Sequence, residues 1–318
     1  MHTGICDLLG IEVPIVLAPF GPWEQVELAA AVCEAGGLGS VGTAVLPTAQ
    51  LTAQWKQLKS LTDRPFAINH TGRPFNEEAF AASLDVRPAA ISFHLGVPAD
   101  LIKRAHDHGI PWLQLVGDVT AAEAALEAGA DVLVAQGTEA GGNAGSITTM
   151  VLVPAVVDIA GEVPVLAAGG IADGRGLAAA LALGAQGAWI GTRFLATVEM
   201  AASQRWKDQI VASGALDARK VLNSEVAMPP YTLPQVGAPM SPRALPSEFI
   251  DRLARDPDSI DESDRTRLLQ LVRSGRGDEL LPLSGQSVEL IHDIVPARVL
   301  VERIVAEADE ILARLGSV

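Results

Sequence analysis

The amino-acid sequence predicts an α/β fold, namely a TIM (β/α)8 barrel followed by a small, mainly helical C-terminal cap or insertion. Short apolar segments alternate with helix-forming segments eight times in about the first 190 residues, at the spacing of barrel units. The apolar segments are nearly continuous, as in parallel strands that are buried on both faces. No G-x-G-x-x-G pattern follows the first strand, so an open, doubly wound sheet is the less favoured alternative.

Glycine and proline separate the elements of the first half of the barrel. Phe20-Gly21-Pro22 ends the first strand, and Gly36-Gly37 ends the alanine-rich helix after it. Pro47 suits the first turn of the next helix, and Gly109 follows the last helix of this half. In chain order, we predict strands at 11–19, 39–42, 66–69 and 89–94, alternating with helices at 26–35, 47–61, 77–84 and 99–108.

Helix caps mark the second half of the barrel. Thr120 is a suitable N-cap for one helix, which Gly129 ends, and Asp173 is a suitable N-cap for another. Pro154 lies inside a third segment that we still predict to be helical. The predicted strands are 110–116, 132–135, 163–168 and 188–190, and the predicted helices are 120–128, 149–159 and 174–183.

The pattern changes after residue 197. A helix at 200–213 precedes a proline-rich stretch that contains Tyr231 and a charged, helix-forming stretch at 248–278. A last helix is predicted at 296–315. We expect the proline-rich stretch to cover the barrel mouth. The predicted division is a barrel at 1–213, a cap or insertion at 214–284, and a C-terminal helix within 285–318 that packs back on the barrel.

Composition and charge argue against several classes of partner. The formal net charge of −15 disfavours binding to nucleic acid. No apolar run is long enough to span a bilayer and no signal peptide opens the chain, so we expect a cytoplasmic protein without a membrane partner. Cys6 and Cys33 have no metal-site spacing. We therefore expect a small-molecule substrate, and a homodimer is compatible with the sequence.

The stretch at 131–145 predicts a ligand site. An apolar strand there stops abruptly and a loop with four glycines follows. Glycine lets the backbone adopt conformations closed to other residues, or approach a ligand closely. Large polar side chains, Gln136, Glu139 and Asn143, lie between these glycines or just before them. An ordinary turn needs neither this many glycines nor these polar groups.

In a TIM barrel, residues at the carboxyl ends of the strands face the active site. Two of these ends, Gly169-Gly170 and Gly191-Thr192, open into helices and expose backbone N–H groups on neighbouring strands. Such paired turns predict a phosphate site, and hence a phosphorylated cofactor or substrate. The other predicted strand-end residues are Phe20, Asn69, His94, Gln114, Gln136 and Asn143.

The histidines give weaker indications. His94 ends a strand, where it is either a hydrogen-bonded structural residue or a catalytic base. His70 is expected at the surface. His106 and His108 have no acidic or cysteine partners at ligand spacing, so we predict no metal site.

Several segments together resemble the nitronate monooxygenase family, formerly called 2-nitropropane dioxygenases. The resemblance spans about residues 10 to 200 and extends to Gly285-Gln286 and the last helix. The segments that carry it are Pro14-Ile15-x-x-Ala18-Pro19, Ala35-Gly36-Gly37-Leu38-Gly39-Ser40, Ser92-Phe93-His94, Ala135-Gln136-Gly137-x-Glu139-Ala140-Gly141-Gly142, Ala168-Gly169-Gly170-Ile171-Ala172 and Gly191-Thr192-Arg193-Phe194.

The resemblance implies a barrel that binds FMN non-covalently and carries a small cap. It assigns the FMN phosphate to Gly169, Gly170, Gly191 and Thr192. The flavin ring and ribityl chain would lie along the backbone at Ala18, Pro19 and Phe20 and beside Asn69 and Gln136. The predicted cofactor contacts are completed by Gln114, Gly141, Gly142 and Ala168.

One departure from the family pattern affects the expected chemistry. Members that use nitroalkanes have a histidine base directly after the two loop glycines, where this chain has Asn143. An amide binds a substrate oxygen but cannot accept a proton near neutral pH. A nitronate is already anionic and needs no base, so we predict nitronate oxidation with O₂, in which Asn143 binds the substrate oxygen and His94 orients or protonates the substrate.

Two alternatives remain open. The first is a flavin reductase of quinones or enoyl thioesters that takes electrons from NAD(P)H and needs no base on this loop. The second is a barrel that binds a phosphorylated metabolite without redox chemistry.

Overall fold

A computed structural model describes residues 1–317 and contains an eight-stranded parallel sheet closed into a barrel. The strands are β1 (Ile15–Leu17), β2 (Gly39–Gly42), β3 (Phe66–Thr71), β4 (Ala90–His94), β5 (Trp112–Val116), β6 (Val132–Gln136), β7 (Gly142–Ala144), β8 (Val165–Ala168), β9 (Gly187–Ile190), β10 (Arg219–Lys220) and β11 (Ser241–Ala244). The barrel order is β1-β9-β8-β6-β5-β4-β3-β2. The barrel closes between β1 and β2, where Leu17 N donates to Leu38 O and Leu38 N donates to Ile15 O. The predicted TIM barrel is confirmed.

Helices follow most barrel strands and cover the outside of the sheet. They are α1 (Gly4–Leu9), α2 (Val26–Glu34), α3 (Thr48–Leu61), α4 (Glu77–Val86), α5 (Ala99–Asp107), α6 (Val119–Glu127), α7 (Thr149–Ala160), α8 (Gly174–Ala182), α9 (Thr192–Leu195), α10 (Gln204–Ala212), α11 (Ser224–Ala227), α12 (Glu248–Arg255), α13 (Glu262–Arg273) and α14 (Ala297–Leu315). Short 3₁₀ helices lie at Pro257–Ser259, Gly277–Glu279 and Gln286–Leu290.

Helix α14 takes the position of the eighth barrel helix. Strand β9 is followed only by the single-turn α9, and α14 packs between α8 and α2. The main-chain N–H at the start of α8 donates to the Glu307 carboxylate, which joins α14 to the barrel at 2.8 Å. The chain thus completes the helical layer with a segment far from β9 in the sequence.

The structure differs from the prediction at several element ends. The N-cap of α6 is Asp118 rather than Thr120, because the Asp118 carboxylate accepts from Ala121 N. The predicted helix at 200–213 begins only at Gln204, where Ser203 is its N-cap. Asp173 caps α8 as predicted, and α7 is helical although it contains Pro154. The predicted strand at 11–19 is limited to β1, since the N–H groups of Glu12 and Val13 both donate to Gly36 O instead of pairing with a neighbouring strand.

An unpredicted N-terminal helix closes the bottom of the barrel. The apolar side chains of α1 belong to the same core as the inward-facing residues of the strands. Ile5 and Cys6 are fully buried there. The helix therefore covers the amino-terminal ends of the strands.

Two apolar layers meet at most barrel strands. Along β5, Leu113 and Leu115 face the barrel interior, whereas Trp112 and Val116 face the helices. This alternation is the ordinary geometry of a β-strand. Because both faces are apolar, the sequence of such a strand does not reveal which residues point inward.

The cap is joined to the barrel by a small antiparallel sheet. Strand β7, in the glycine-rich loop, pairs with β11, which pairs with β10. Helices α11 to α13 pack on this sheet around a separate apolar cluster that includes Phe249, Leu253 and Leu268. The limits of the cap at 214–284, and the other predicted domain limits, remain predictions.

Candidate active site

A cavity of about 520 Å³ lies at the carboxyl ends of the barrel strands and extends beneath the cap. A volume of this size is typical of a pocket for a cofactor or drug-sized ligand. With the exception of Gln114, every predicted site residue lines it. These residues are Ala18, Pro19, Phe20, Asn69, His94, Gln136, Gly141, Gly142, Asn143, Ala168, Gly169, Gly170, Gly191 and Thr192.

Gln114 lies outside the cavity, so its predicted position at the site is wrong. Its Nε2 donates to Gly96 O at 2.9 Å and to Leu115 O at 3.1 Å, and its Oε1 accepts from Trp112 Nε1. The side chain points to the helix layer because Gln114 alternates with the inward-facing Leu115. Leu115 lines the cavity in its place.

His70 is also placed differently from the prediction, because it is fully buried rather than at the surface. It points away from the cavity, next to Asn69, which points in. Its Nδ1 lies 3.2 Å from Thr43 Oγ1 and its Nε2 lies 3.0 Å from Ser83 Oγ. Burial lowers the pKa of His70 to about 3, so the ring is neutral and joins β3 to its neighbours.

Acid should destabilise the protein through this buried ring. The unfolded chain protonates His70 near the ordinary pKa of 6.5, but the folded chain does so only near a pKa of about 3. The contribution of the neutral ring is therefore complete above pH 6.5 and is lost as the pH falls toward 3. At pH 5 we expect a loss of about 2 kcal/mol in the free energy of unfolding.

Urea unfolding at pH 7 and pH 5 measures this effect. His70→Gln should unfold at lower urea at pH 7 but lose less stability between pH 7 and pH 5 than the unchanged protein does. His2→Gln, which alters an exposed ring, is the control and should retain the full pH dependence. Equal pH dependence in all three proteins would contradict this assignment.

One wall of the cavity presents free backbone amides. The N–H groups of Gly169, Gly170, Gly191 and Thr192 donate no hydrogen bond within the part of the chain that the structure describes. Gly169 and Gly170 have φ angles of +99° and +75°, a region that favours glycine. The turns after β8 and β9 thus expose four donors to the cavity, as an anion site requires.

The turn after β8 rests on the glycine-rich loop. The Glu139 carboxylate accepts from Thr149 N and from Thr149 Oγ1, at 3.0 and 2.9 Å. Thr149 Oγ1 also lies 3.0 Å from Gly169 O. The first turn of α7 therefore supports both the Gly169-Gly170 peptide and the loop before β7. Gly285 N donates to Thr192 Oγ1 at 2.9 Å and supports the turn after β9.

Three polar side chains in the cavity have buried atoms without hydrogen-bond partners among the described residues. The atoms are Gln136 Oε1, Asn143 Oδ1 and His94 Nε2. A buried polar atom left without a partner costs about 1–3 kcal/mol, so such atoms in a pocket indicate a place for a ligand. Burial lowers the pKa of His94 to about 4, and the nearby main chain of Asn143 raises it only in part. The His94 ring is neutral at pH 7.

Strand pairing sets the position of Asn143. The residue lies in β7, opposite Pro242 of β11, rather than in the predicted loop. On either side of this pair, Lys220 Nζ donates to Ala144 O at 2.6 Å and Arg243 Nε donates to Thr138 O at 3.0 Å. The cap therefore holds the main chain around Asn143 in place, and the amide side chain faces the cavity.

Comparison with known proteins identifies the family to which this chain belongs. The family model described as "nitronate monooxygenase" matches residues 2–79 and 70–307, which is most of the chain. The chain belongs to the nitronate monooxygenase family. It is therefore an oxidoreductase, and the resemblance read from its motifs is confirmed.

Relatives and solved structures agree with membership in this family. A probable nitronate monooxygenase of Staphylococcus saprophyticus is 31% identical, over 99% of this chain and 99% of its own. A dehydrogenase of an octahydroindene carboxyl-CoA from Rhodococcus jostii is 29% identical, over 100% of this chain and 98% of its own. The structure of FabK from Thermotoga maritima superposes with a TM-score of 0.87 at 31% identity, covering 100% of this chain and 99% of that one.

Neither a membrane-spanning helix nor a metal-binding cluster is found in the described part of the chain. Among residues 1–317, no helix is long and apolar enough to cross a membrane. Within the same part of the chain, no three His, Cys, Asp or Glu residues are grouped closely enough to hold a metal ion.

Sequence reasoning missed several residues that line the cavity of this family member. Arg73 lies two residues beyond the end of β3. The rule that selected Asn69, which considers polar residues at the carboxyl ends of strands, would have included Arg73 if it had been extended to the loop after the strand. Trp23 and Trp206 form an aromatic wall, with ring centroids 5.2 Å apart. Cap residues such as Met228 and Leu268 also line the cavity, and nothing in the local sequence distinguishes them from ordinary core residues.

Proposed function

We propose that the protein is an FMN-dependent oxidoreductase that oxidises a nitronate or a related small anion with O₂. One observation carries the proposal: a single cavity contains both the four backbone amides after β8 and β9 and the three buried polar side-chain atoms that have no hydrogen-bond partner among the described residues. The backbone amides can donate hydrogen bonds to a phosphate. The polar side chains can bind the polar edge of a flat cofactor and a small substrate beside it. Similarity to a probable nitronate monooxygenase supports the nitronate as substrate.

The residues present fit FMN. The amides of Gly169, Gly170, Gly191 and Thr192 would bind its phosphate. The backbone from Ala18 to Phe20, with Asn69 and Gln136, whose buried Oε1 has no partner among the described residues, would lie along the ring and ribityl chain. The Asn69 side chain is oriented by a hydrogen bond, because its Nδ2 donates to Ser92 Oγ at 3.0 Å. When bound, the flavin accepts two electrons from the substrate and returns them to oxygen.

Asn143 and His94 would bind and orient the substrate. The Asn143 amide has no side-chain hydrogen bond to a described residue, so its N–H₂ group is available to a nitronate oxygen. The neutral His94 ring offers one donor and one acceptor. Because its pKa is lowered to about 4, it is a poor base at pH 7 and serves for orientation. A nitronate carries its negative charge on arrival, so the site needs no group that removes a proton.

A specific feature favours a second candidate, a flavin reductase of quinones or enoyl thioesters that is driven by NAD(P)H. The cavity continues beneath the cap along apolar side chains, which a small nitronate would leave uncovered. These side chains are Met228, Leu268, Leu269, Val272, Leu281 and Leu283. The similarity to a dehydrogenase of a carboxyl-CoA also supports a bulky substrate.

An anaerobic titration of the purified yellow protein tests these functions, with flavin absorbance near 450 nm as the readout (about this wavelength for an oxidised flavin). The titrants are the nitronate of 2-nitropropane, the neutral nitroalkane, NADH and NADPH. We expect the nitronate to bleach the flavin and the neutral nitroalkane to leave it oxidised. Bleaching by NADH or NADPH alone would select the reductase. A colourless protein that takes up no FMN would reject both functions and favour a barrel without redox chemistry.

A further inference from the structure

We propose that Arg73 binds a phosphate group of a second ligand, across the barrel mouth from the predicted FMN phosphate site. Arg73 lines the cavity, just beyond the end of β3. The proposal concerns ligand binding alone and goes beyond nitronate oxidation, so it does not depend on which electron transfer the flavin performs.

The Arg73 guanidinium is held in one orientation by the cap. It lies over the Tyr231 ring, with its central carbon 4.1 Å from the ring centroid, and its Nε donates to Pro229 O at 2.5 Å. The same part of the cap is joined to the barrel where Thr232 N donates to Gly72 O at 2.9 Å. Stacking and the Nε bond restrain the plane of the guanidinium. Its two terminal nitrogens donate to no described residue and can form a fork for an anion.

Arg73 has no carboxylate partner among the described residues, although the chain has a formal net charge of −15. The other arginine that lines the cavity, Arg265, does have one, since its Nε lies 3.1 Å from Glu262 Oε2. A half-buried cation that is oriented but unpaired is costly unless an anion reaches it. The position therefore indicates an anionic ligand group.

The barrel order shows that this anion is not the phosphate bound by the free amides. Those amides follow β8 and β9, whereas Arg73 follows β3. Two strands, β2 and β1, separate β3 from β9 around the barrel, and three strands separate it from β8 in the other direction. The two anion sites thus lie on opposite sides of the mouth and serve different molecules.

The location favours a phosphate at the outer end of a long ligand. Within β3 and β4, Thr71 pairs with His94, and Arg73 lies further out than either. The cavity reaches solvent near the cap, since Glu262 also lines it and is 83% exposed. A ligand that reacts near His94 and Asn143 would therefore bring a remote group to Arg73. Nicotinamide dinucleotides and CoA thioesters both carry phosphates remote from their reacting groups, and an arginine fork suits a phosphate.

Equilibrium binding to the oxidised holoenzyme, followed by perturbation of the flavin spectrum, tests the proposal. The probes are NADP⁺ and CoA, each compared with a phosphate-free counterpart, nicotinamide riboside and pantetheine. We expect at least one phosphorylated probe to bind about tenfold or more tightly than its counterpart. Preference for NADP⁺ or for CoA identifies the source of the phosphate.

Arg73→Gln should remove that difference in affinity, and Arg73→Lys should retain part of it because the charge remains but the fork is lost. Arg267→Gln removes the same charge from an exposed position of α13 outside the cavity and should leave the difference unchanged. The FMN content of all variants should equal that of the unchanged protein. If neither phosphorylated probe exceeds its counterpart, or if Arg73→Gln preserves the difference, the proposal is wrong.

Discussion

Gly169→Ala is expected to weaken FMN binding about 100-fold or more. The backbone φ at this position is +99°, and an added Cβ would lie 3.0 Å from Gly137 O and 3.1 Å from Thr149 Oγ1. The strain from the positive φ cannot be relieved while the turn stays in place, and both contacts require the neighbouring atoms to shift. The turn must move, and its amides then no longer converge on the phosphate.

Binding of FMN and of riboflavin to the apoprotein, measured by flavin fluorescence, provides the readout. Riboflavin lacks the phosphate, so its affinity should fall far less than that of FMN. Gly109→Ala is the matched control, because that glycine has a φ of +71° at the end of α5 and no atom within 4 Å of an added Cβ. An unchanged affinity for FMN in Gly169→Ala would exclude this turn as the phosphate site.

Asn143→His is expected to raise turnover of a neutral nitroalkane about 100-fold or more, because general-base catalysis typically contributes this much. His94, the histidine that lines the site, is a poor base near the substrate position, since burial lowers its pKa to about 4. The new imidazole would occupy the position where the family resemblance predicts a base. Turnover of the corresponding nitronate, which needs no proton removal, should change much less.

Steady-state oxygen consumption with each substrate form measures this change. Asn143→Ala is the control, because it removes the amide without supplying a base and should give no gain with the nitroalkane. His94→Gln should weaken nitronate binding, seen as a raised KM, if the ring orients the substrate. If Asn143→His turned over the nitronate normally but gained nothing with the nitroalkane, Asn143 would not lie next to the reacting carbon.

Most of the cavity-lining residues at the strand ends could be predicted because their features are local. Gly169-Gly170 and Gly191-Thr192 directly follow their strands, and the carboxyl ends of parallel strands meet at one end of a barrel. The positions of Gln136 and His94 follow from the same rule. These predictions needed only the strand ends, which the sequence marks with glycine and polar residues.

The errors at Gln114 and His70 have a common physical cause. Both residues have the outward orientation in strands whose two faces are apolar, so no alternation in the sequence reveals the orientation. The family resemblance did not correct the prediction for Gln114, because it also placed this residue at the cofactor. Only the interior layer of the barrel, in which Leu115 packs, decides which neighbour reaches the cavity.

The sequence by itself determined the barrel, the glycine turns after β8 and β9 and the polar residues at the strand ends, since each depends on a short stretch of chain. The tertiary structure alone decided three features that join distant segments. Helix α14 fills the eighth helical position, β11 holds Asn143 in a strand, and Tyr231 and Pro229 orient Arg73. Contacts between residues more than 90 positions apart, as between Asn143 and Pro242, leave no periodic pattern in the sequence. They arise only when the chain closes and the cap docks on the barrel mouth.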